Sequence, residues 1–419
     1  MIRTLSSVAP LLFGVAILLT GQGLQGTLLP VRANLEGFST LSIGLMGGAY
    51  FFGFTLGCLR GSTLLRRVGH IRVFAAMTAA ASAVPLLHAL WVETWLWWVL
   101  RFMTGYCFAV LYVVIESWLN EQATNENRGA VFSAYTLITL TVLAVGQQML
   151  LLYDPQQMQL FAIASAIVSL AAIPVVLSVA PTPRHAEGKV RLDLVRLFRT
   201  SRAGSLGCLA AGLANGSFWA LAPVFVAGYS SEVSLAAWFM TSAVLGGAVG
   251  QWPLGLWSDR VDRRWVIAFA AVTAMLVGTT IWVAFKVMSP LVLMLLGACW
   301  GAVAFPVYAV SVAHTNDHAR AGEYVMISSG LLLMYGIGAI VGPFFASVAM
   351  HLLGSGGLFL YTALIHLLLI CYIAMRFARR KPAPEEEHRR FVDALATTQT
   401  ASQVYEDEIS NDGAALPNR

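Results

Sequence analysis

Gly250-Gln-Trp-Pro-Leu-Gly255-Leu-Trp-Ser-Asp259-Arg260-Val-Asp262-Arg263-Arg264 carries an apolar helix straight into two acids and three bases. Such a transition reads as a membrane exit onto a charged surface. A weaker copy stands 193 residues earlier, where Gly57 aligns with Gly250, Leu64 with Trp257 and Arg67 with Arg260, while Gly69 falls opposite Asp262. The same offset pairs Gly23 with Gly216 and Pro30 with Pro223. One spacing recurring at separated positions argues for an internal duplication.

Composition agrees with a membrane reading. Of 419 residues, 58% are hydrophobic and 11% charged, far from the roughly 25% charge of soluble domains. The formal charge of +5 does not point to nucleic acid, because the bases gather in the loops of one side. Cys58, Cys107, Cys208, Cys299 and Cys371 lie in apolar stretches without CxxC spacing or a His cluster, so they read as small core hydrophobes and no metal is expected. The first apolar run is too long for a signal-peptide core and is expected to stay in the mature protein.

Twelve runs are long and apolar enough to span a bilayer, near 7–30, 42–63, 71–90, 95–118, 130–152, 158–180, 204–227, 236–257, 265–285, 290–313, 323–349 and 355–378. Glycines four apart, at 53, 57 and 61, 246 and 250, and 338 and 342, predict close helix packing. With the N-terminus inside, every Lys and Arg except Arg32, Lys286 and the intra-span Arg101 falls on the cytoplasmic side. The chain therefore divides into a six-helix half (1–180), a cytoplasmic linker (181–203), a second six-helix half (204–378) and a polar cytoplasmic tail (379–419) expected to be disordered. Within the linker, Val190, Leu194, Leu197 and Phe198 against Lys189, Arg196 and Arg199 predict a short helix on the anionic inner leaflet.

These features, with the Gly-x-x-x-Asp-Arg-x-x-Arg-Arg loop after span 8, resemble the major facilitator superfamily over about residues 5 to 380. Val114-Ile-Glu116-Ser, Gly250-Gln-Trp-Pro-Leu-Gly255 and Phe305-Pro-Val resemble its YcaD-like subgroup. The resemblance implies an all-α membrane protein of two pseudo-symmetric halves, a secondary transporter that moves a small solute by alternating access in a bacterial inner membrane. It also implies a conformational latch in the charged loop. Gly255, Asp259, Arg260, Arg263 and Arg264 match that pattern, and Asp262 replaces its second glycine. In the first-half copy Ser62 and Arg66 stand for the Gly and the Asp, while Arg67 and Gly69 are kept. The missing acid has to come from elsewhere. Glu116, the acid within span 4, is expected to pair with Arg67 or Arg72; plain positive-inside anchoring is the alternative.

Arg101 matches the family's span-4 Arg-x3-Gly-x3-Ala pattern. It is expected to face a central cavity, and the alternative is snorkelling to the interface marked by Trp95, Trp97 and Trp98. Gly105, Phe108 and Tyr112 share its helix face, and Glu116 follows one turn on. Gln22 corresponds to Asn215 by the repeat, and with Gln25 these amides suggest a pseudo-symmetric site, interhelical bonding being the alternative. Gln147, Gln148 and Gln251 share that ambiguity. Trp219, Trp300, Tyr308 and Tyr335 are candidate lining residues, whereas His366, in a span that the resemblance turns to lipid, is left out. Arg101 and Glu116 are the candidate proton-coupling pair. The expected partners are a small-molecule substrate, a proton and the bilayer, with no cofactor and no nucleic acid, and the working unit is a monomer. No phosphate-binding loop, zinc spacing or Ser-His-Asp arrangement supports an enzyme. A non-transporting sensor of the same fold is the competing class, and it would be favoured by a large soluble domain that the chain lacks.

Overall fold

The computed structural model describes residues 2–122, 128–177, 193–319 and 324–377. The described residues form helices α1 (Ile2–Leu35), α2 (Thr40–Val68), α3 (His70–Leu90), α4 (Thr94–Gln122), α5 (Arg128–Gln148), α6 (Gln159–Leu170) and α7 (Ala172–Val176). There follow α8 (Leu194–Thr200), α9 (Arg202–Ala227), α10 (Val233–Ser258), α11 (Arg263–Ala284), α12 (Pro290–Ala304), α13 (Pro306–Asn316), α14 (Tyr324–Leu353) and α15 (Gly357–Phe377). Twelve spans are long and apolar enough to cross a membrane, six before α8 and six after it. Two of them are broken. Pro174 and Pro306 lack an amide hydrogen, and the helix yields just upstream of each, at Ala171 and at Phe305.

Apolar spans gain little from packing on one another in lipid, so their seams rely on close backbone approach at small residues. The seams repeat between the two sets. Gly53 and Gly57 bring α2 against Phe102 and Tyr106 of α4, and their counterparts Gly246 and Gly250 bring α10 against Ala298 and Ala302 of α12. Gly23 lies on Leu143 of α5, and its counterpart Gly216 lies on Ala339 of α14. The duplication read from spacing is thus a duplication of packing. Residues such as Phe52, Leu137 and Val249 point outward, as a hydrocarbon-facing surface requires. Cys299 and Cys371 do too, which corrects their assignment to the core.

Two expectations at the edges change. The linker helix α8 buries Leu197 against Gly330 of α14 while Val195 stays exposed, so part of its apolar face docks on the bundle; Lys189 and Val190 lie outside the described residues. The tail from 379 lies outside them as well. His366 is buried, with its Nδ1 on the Thr362 carbonyl at 2.7 Å and its ring against Trp300. Its span turns this residue inward, not to lipid.

A side chain at Gly105 would collide with the Tyr50 carbonyl, whereas one at Gly26 meets nothing within 4 Å. Gly105→Ala is expected to lower the thermal midpoint of the purified protein, an overpacking cost of about 1–3 kcal/mol or more because backbone cannot rotate away. Gly26→Ala should leave it in place.

Candidate functional site

At mid-depth α1, α2 and α4 converge on a polar cluster. Gln22 Nε2 donates to Tyr50 Oη at 2.9 Å, and Tyr112 Oη donates to Gln22 Oε1 at 2.8 Å. Both ends of the Gln22 amide are therefore occupied, so Gln22 positions two phenols. The Arg101 guanidinium carbon lies 4.4 Å from the centre of the Tyr50 ring, and the residue is 8% exposed. It points inward and does not snorkel. Among the described residues it makes no ion pair, and its Nε has no hydrogen-bond partner. Gln25 is buried with neither amide atom partnered.

The second set contributes Asn215, Tyr308 and Tyr335. Tyr335 stands against the Asn215 amide and within electrostatic reach of Tyr50, close to where Gly336 of α14 crosses Thr55 of α2. Its ring packs on Tyr308 at 4.8 Å between centres. Asn215 Oδ1 and Tyr308 Oη are buried without partners. One turn along α9, half-buried Trp219 lies flat on Phe305 at 5.4 Å and 8°, a contact made possible by the break before Pro306. Trp300 differs from its expected role. It is fully buried, stacked on Phe218 and edged by Phe305, Phe359 and His366, so it belongs to the aromatic core behind the site.

The end of the bundle away from the basic loops is closed. Gly44 and Gly48 of α2 seat against Pro343, Ser347 and Ile340 of α14. Gln148 Nε2 donates to Thr241 Oγ1 at 2.7 Å and to the Ala237 carbonyl at 3.3 Å, and Thr241 Oγ1 reaches Gln147 Oε1 at 3.2 Å. These two glutamines join the helix sets.

At the basic end the buried second-half arginines are held by acids of their own set. Arg263, 1% exposed, holds Asp317 at 2.7 Å, Ser258 Oγ at 2.9 Å and Asp259 at 3.2 Å. Arg264 is clamped by Asp262 at 2.6 Å and lies 4.9 Å from the centre of the Phe377 ring. Asp262 also caps α11 by accepting from the Arg264 amide. The first-half counterpart Gly69 instead makes a one-residue turn between α2 and α3 at φ +92°, a conformation a side chain resists. Burial pushes the Asp262 carboxyl up, but the hydrogen bonds and charge of Arg264 outweigh it and hold the group below its ordinary 3.8. Being depressed in the folded chain, it adds stability that is complete above the unfolded value and fades as pH falls through the folded one.

Arg67, Arg72 and Arg260 are exposed and, among the described residues, make no ion pair. The expected pairing of Glu116 with Arg67 or Arg72 is therefore absent from this conformation. Glu116 is buried and bonded by the Tyr135 hydroxyl of α5. Tyr50 and Asp317 were not singled out by the sequence. At the repeat offset Tyr50 corresponds to Ala243, which hides it, and the visible trace of Asp317 was an acid at a span exit. Asp317→Ala would leave Arg263 buried beside a half-exposed Asp259, and a loss of about 3 kcal/mol is expected. Chemical or thermal unfolding of the purified variant reads it.

Two sets of six spans with matching seams, a polar site where they meet and an ionic end define a multi-pass membrane protein of the transporter class. The chain belongs to the Major Facilitator Superfamily, whose model matches residues 11–234 and 204–407. An uncharacterized MFS-type transporter of Enterobacter sp. (strain 638) is 29% identical over 89% of this chain and 96% of its own. The uncharacterized MFS-type transporter YcaD of Escherichia fergusonii is 26% identical over the same shares. Among solved structures, a nucleoside transporter NupG mutant aligns with TM-score 0.76 and 13% identity over 88% of this chain and 100% of its own. An inward-facing bacterial homologue of the lysosomal transporter Spinster aligns with TM-score 0.70 and 14% identity over 91% and 98%.

Proposed function

We propose that the protein is a secondary active transporter of the bacterial inner membrane that carries a small solute through the Gln22–Tyr50–Arg101–Tyr112 and Asn215–Tyr308–Tyr335 site by alternating access. The observation that carries this reading is that both helix sets bury unpartnered polar atoms in the interior, beneath a closed far end. Unpaid polar burial is costly in a bilayer, and a site that exchanges water for solute is its simplest use. With both termini and the basic loops in the cytoplasm, the closed end faces outward in this conformation. In it, the charges of the proposed latch, Arg67, Arg72 and Arg260, do not bridge the halves. Their engagement belongs to the opposite state.

Rocking of the halves must break the Gln148–Thr241 junction. In a cysteine-free background, Trp219→Cys is expected to react with membrane-impermeant thiol reagents from either side of the membrane. Adding Gln148→Cys and Thr241→Cys, bridged by a short bifunctional thiol reagent, should abolish labelling from the outside and spare it from the inside. Unchanged labelling from both sides would sink the rocking mechanism.

Proton coupling is assigned to Glu116, because it is a buried, titratable carboxyl bonded by the Tyr135 hydroxyl and lying one turn beyond Tyr112 on α4. Glu116→Gln is expected to uncouple solute flux from proton movement in proteoliposomes carrying a pH dye. Retained, pH-dependent proton movement would make Glu116 structural and move coupling to another group.

A further inference from the structure

Arg101 is a permanent charge, more than nine-tenths buried, that the described protein leaves without an ion pair or a partner for its Nε. Its one organised neighbour is the face of Tyr50, which supports a cation but does not neutralise it. Glu116 is 15 residues further along the same helix, about 22 Å at 1.5 Å per residue. Tyr50 is itself fixed by Gln22, which Tyr112 fixes in turn, so the guanidinium rests on a prearranged support. Across the midplane the orphaned groups are of another kind. Asn215 Oδ1 is a pure acceptor that would repel a second anionic group, and Tyr308 Oη can accept as well as donate. Beside these acceptors stand aromatic surfaces, Tyr335 against Tyr308 and Asn215 and Trp219 one turn along from Asn215.

We infer that the mid-depth site takes a small organic anion, its carboxylate seated on Arg101 and a hydrogen-bond donor at its other end held by Asn215 and Tyr308. The inference rests on the transport reading above and deepens it. A planar, bidentate acceptor fits a guanidinium fork best, and the aromatic walls favour a flat body between the two polar ends. Cationic solutes are disfavoured at the Arg101 end, where the nearest acid on the same helix, Glu116, stands 15 residues away.

The test compares carboxylates with their own amides: lactate with lactamide, benzoate with benzamide, and 4-hydroxyphenylacetate with 4-hydroxyphenylacetamide. Tyramine supplies the cationic arm, and binding is read by thermal shift and by quenching of tryptophan fluorescence in the purified full chain. The expected result is that at least one carboxylate binds about tenfold or more tightly than its amide, that Arg101→Gln removes the difference, and that Arg101→Lys restores only part of it. The preference is first measured on the unaltered protein, so a poorly folding variant does not leave the question open. Amide or tyramine binding equal to or tighter than that of every carboxylate overturns the anion inference while transport stands. So does a carboxylate preference that survives Arg101→Gln in folded protein. If no carboxylate, amide or amine binds, the anion inference falls, and labelling of the Trp219→Cys protein from both sides decides whether the transport reading falls with it.

Discussion

A guanidinium keeps its proton in hydrocarbon, so every buried arginine forces the surrounding helices to supply what water would have supplied. Among the described residues three are buried, and two of them, Arg263 and Arg101, are treated in opposite ways. Arg263 receives two carboxylates and a hydroxyl, enough to convert a charge into a fixed joint between α10, α11 and the end of α13. Arg101 receives a tyrosine face and open valences. An arginine inside a span is costly, and a desolvated cation–π contact offsets part of that cost without neutralising the charge.

The seams determine how that site can move. Because α2 meets α4 and α10 meets α12 through bare glycine backbone, each set is locked internally against sliding. Contacts between the sets at the far end are a glutamine pair on one threonine and the glycine face of α2 on α14. Seams locked within each set leave these contacts as the ones that motion of two bodies must break, which is the motion the proposed cycle uses.

What could be read in advance follows from which forces leave a trace in order and spacing. Hydrocarbon thickness dictates span length, so the twelve spans and the repeat were legible in the run of apolar residues. Arg101, Asn215 and Tyr308 were legible because a polar group inside a span is expensive enough to need a purpose. The misreadings concern direction. An aromatic residue looks the same in sequence whether its ring lines a site or packs behind one, and Trp300 packs behind. His366 sits mid-span like a lipid-facing error, yet the Thr362 carbonyl one turn back satisfies it. Glu116 was matched to loop arginines by proximity along the chain, but a carboxylate 2% exposed and guanidinium groups in solvent occupy different depths. Tyr50 and Asp317 matter through partners on other helices, and spacing along one chain does not reveal those.

The two halves of the charged loop are not equivalent, and the difference bears on which acid can serve a latch. Gly69 allows a turn so short that the first half has no room for a capping acid, whereas the second half spends Asp262 on the start of α11 and on Arg264. Asp317 is 6% exposed and held at 2.7 Å, so releasing it would strand Arg263 in a dry site. Asp259 is the remaining acid. Its side chain is 27% exposed, and it is the longer of the two carboxylate contacts to Arg263 at 3.2 Å. Arg263 would keep Asp317 and Ser258 if Asp259 turned away, so that exchange costs little. An exposed arginine approaching from the first half as the basic end closes would meet Asp259 before Asp317, and the joint beneath it would stay intact.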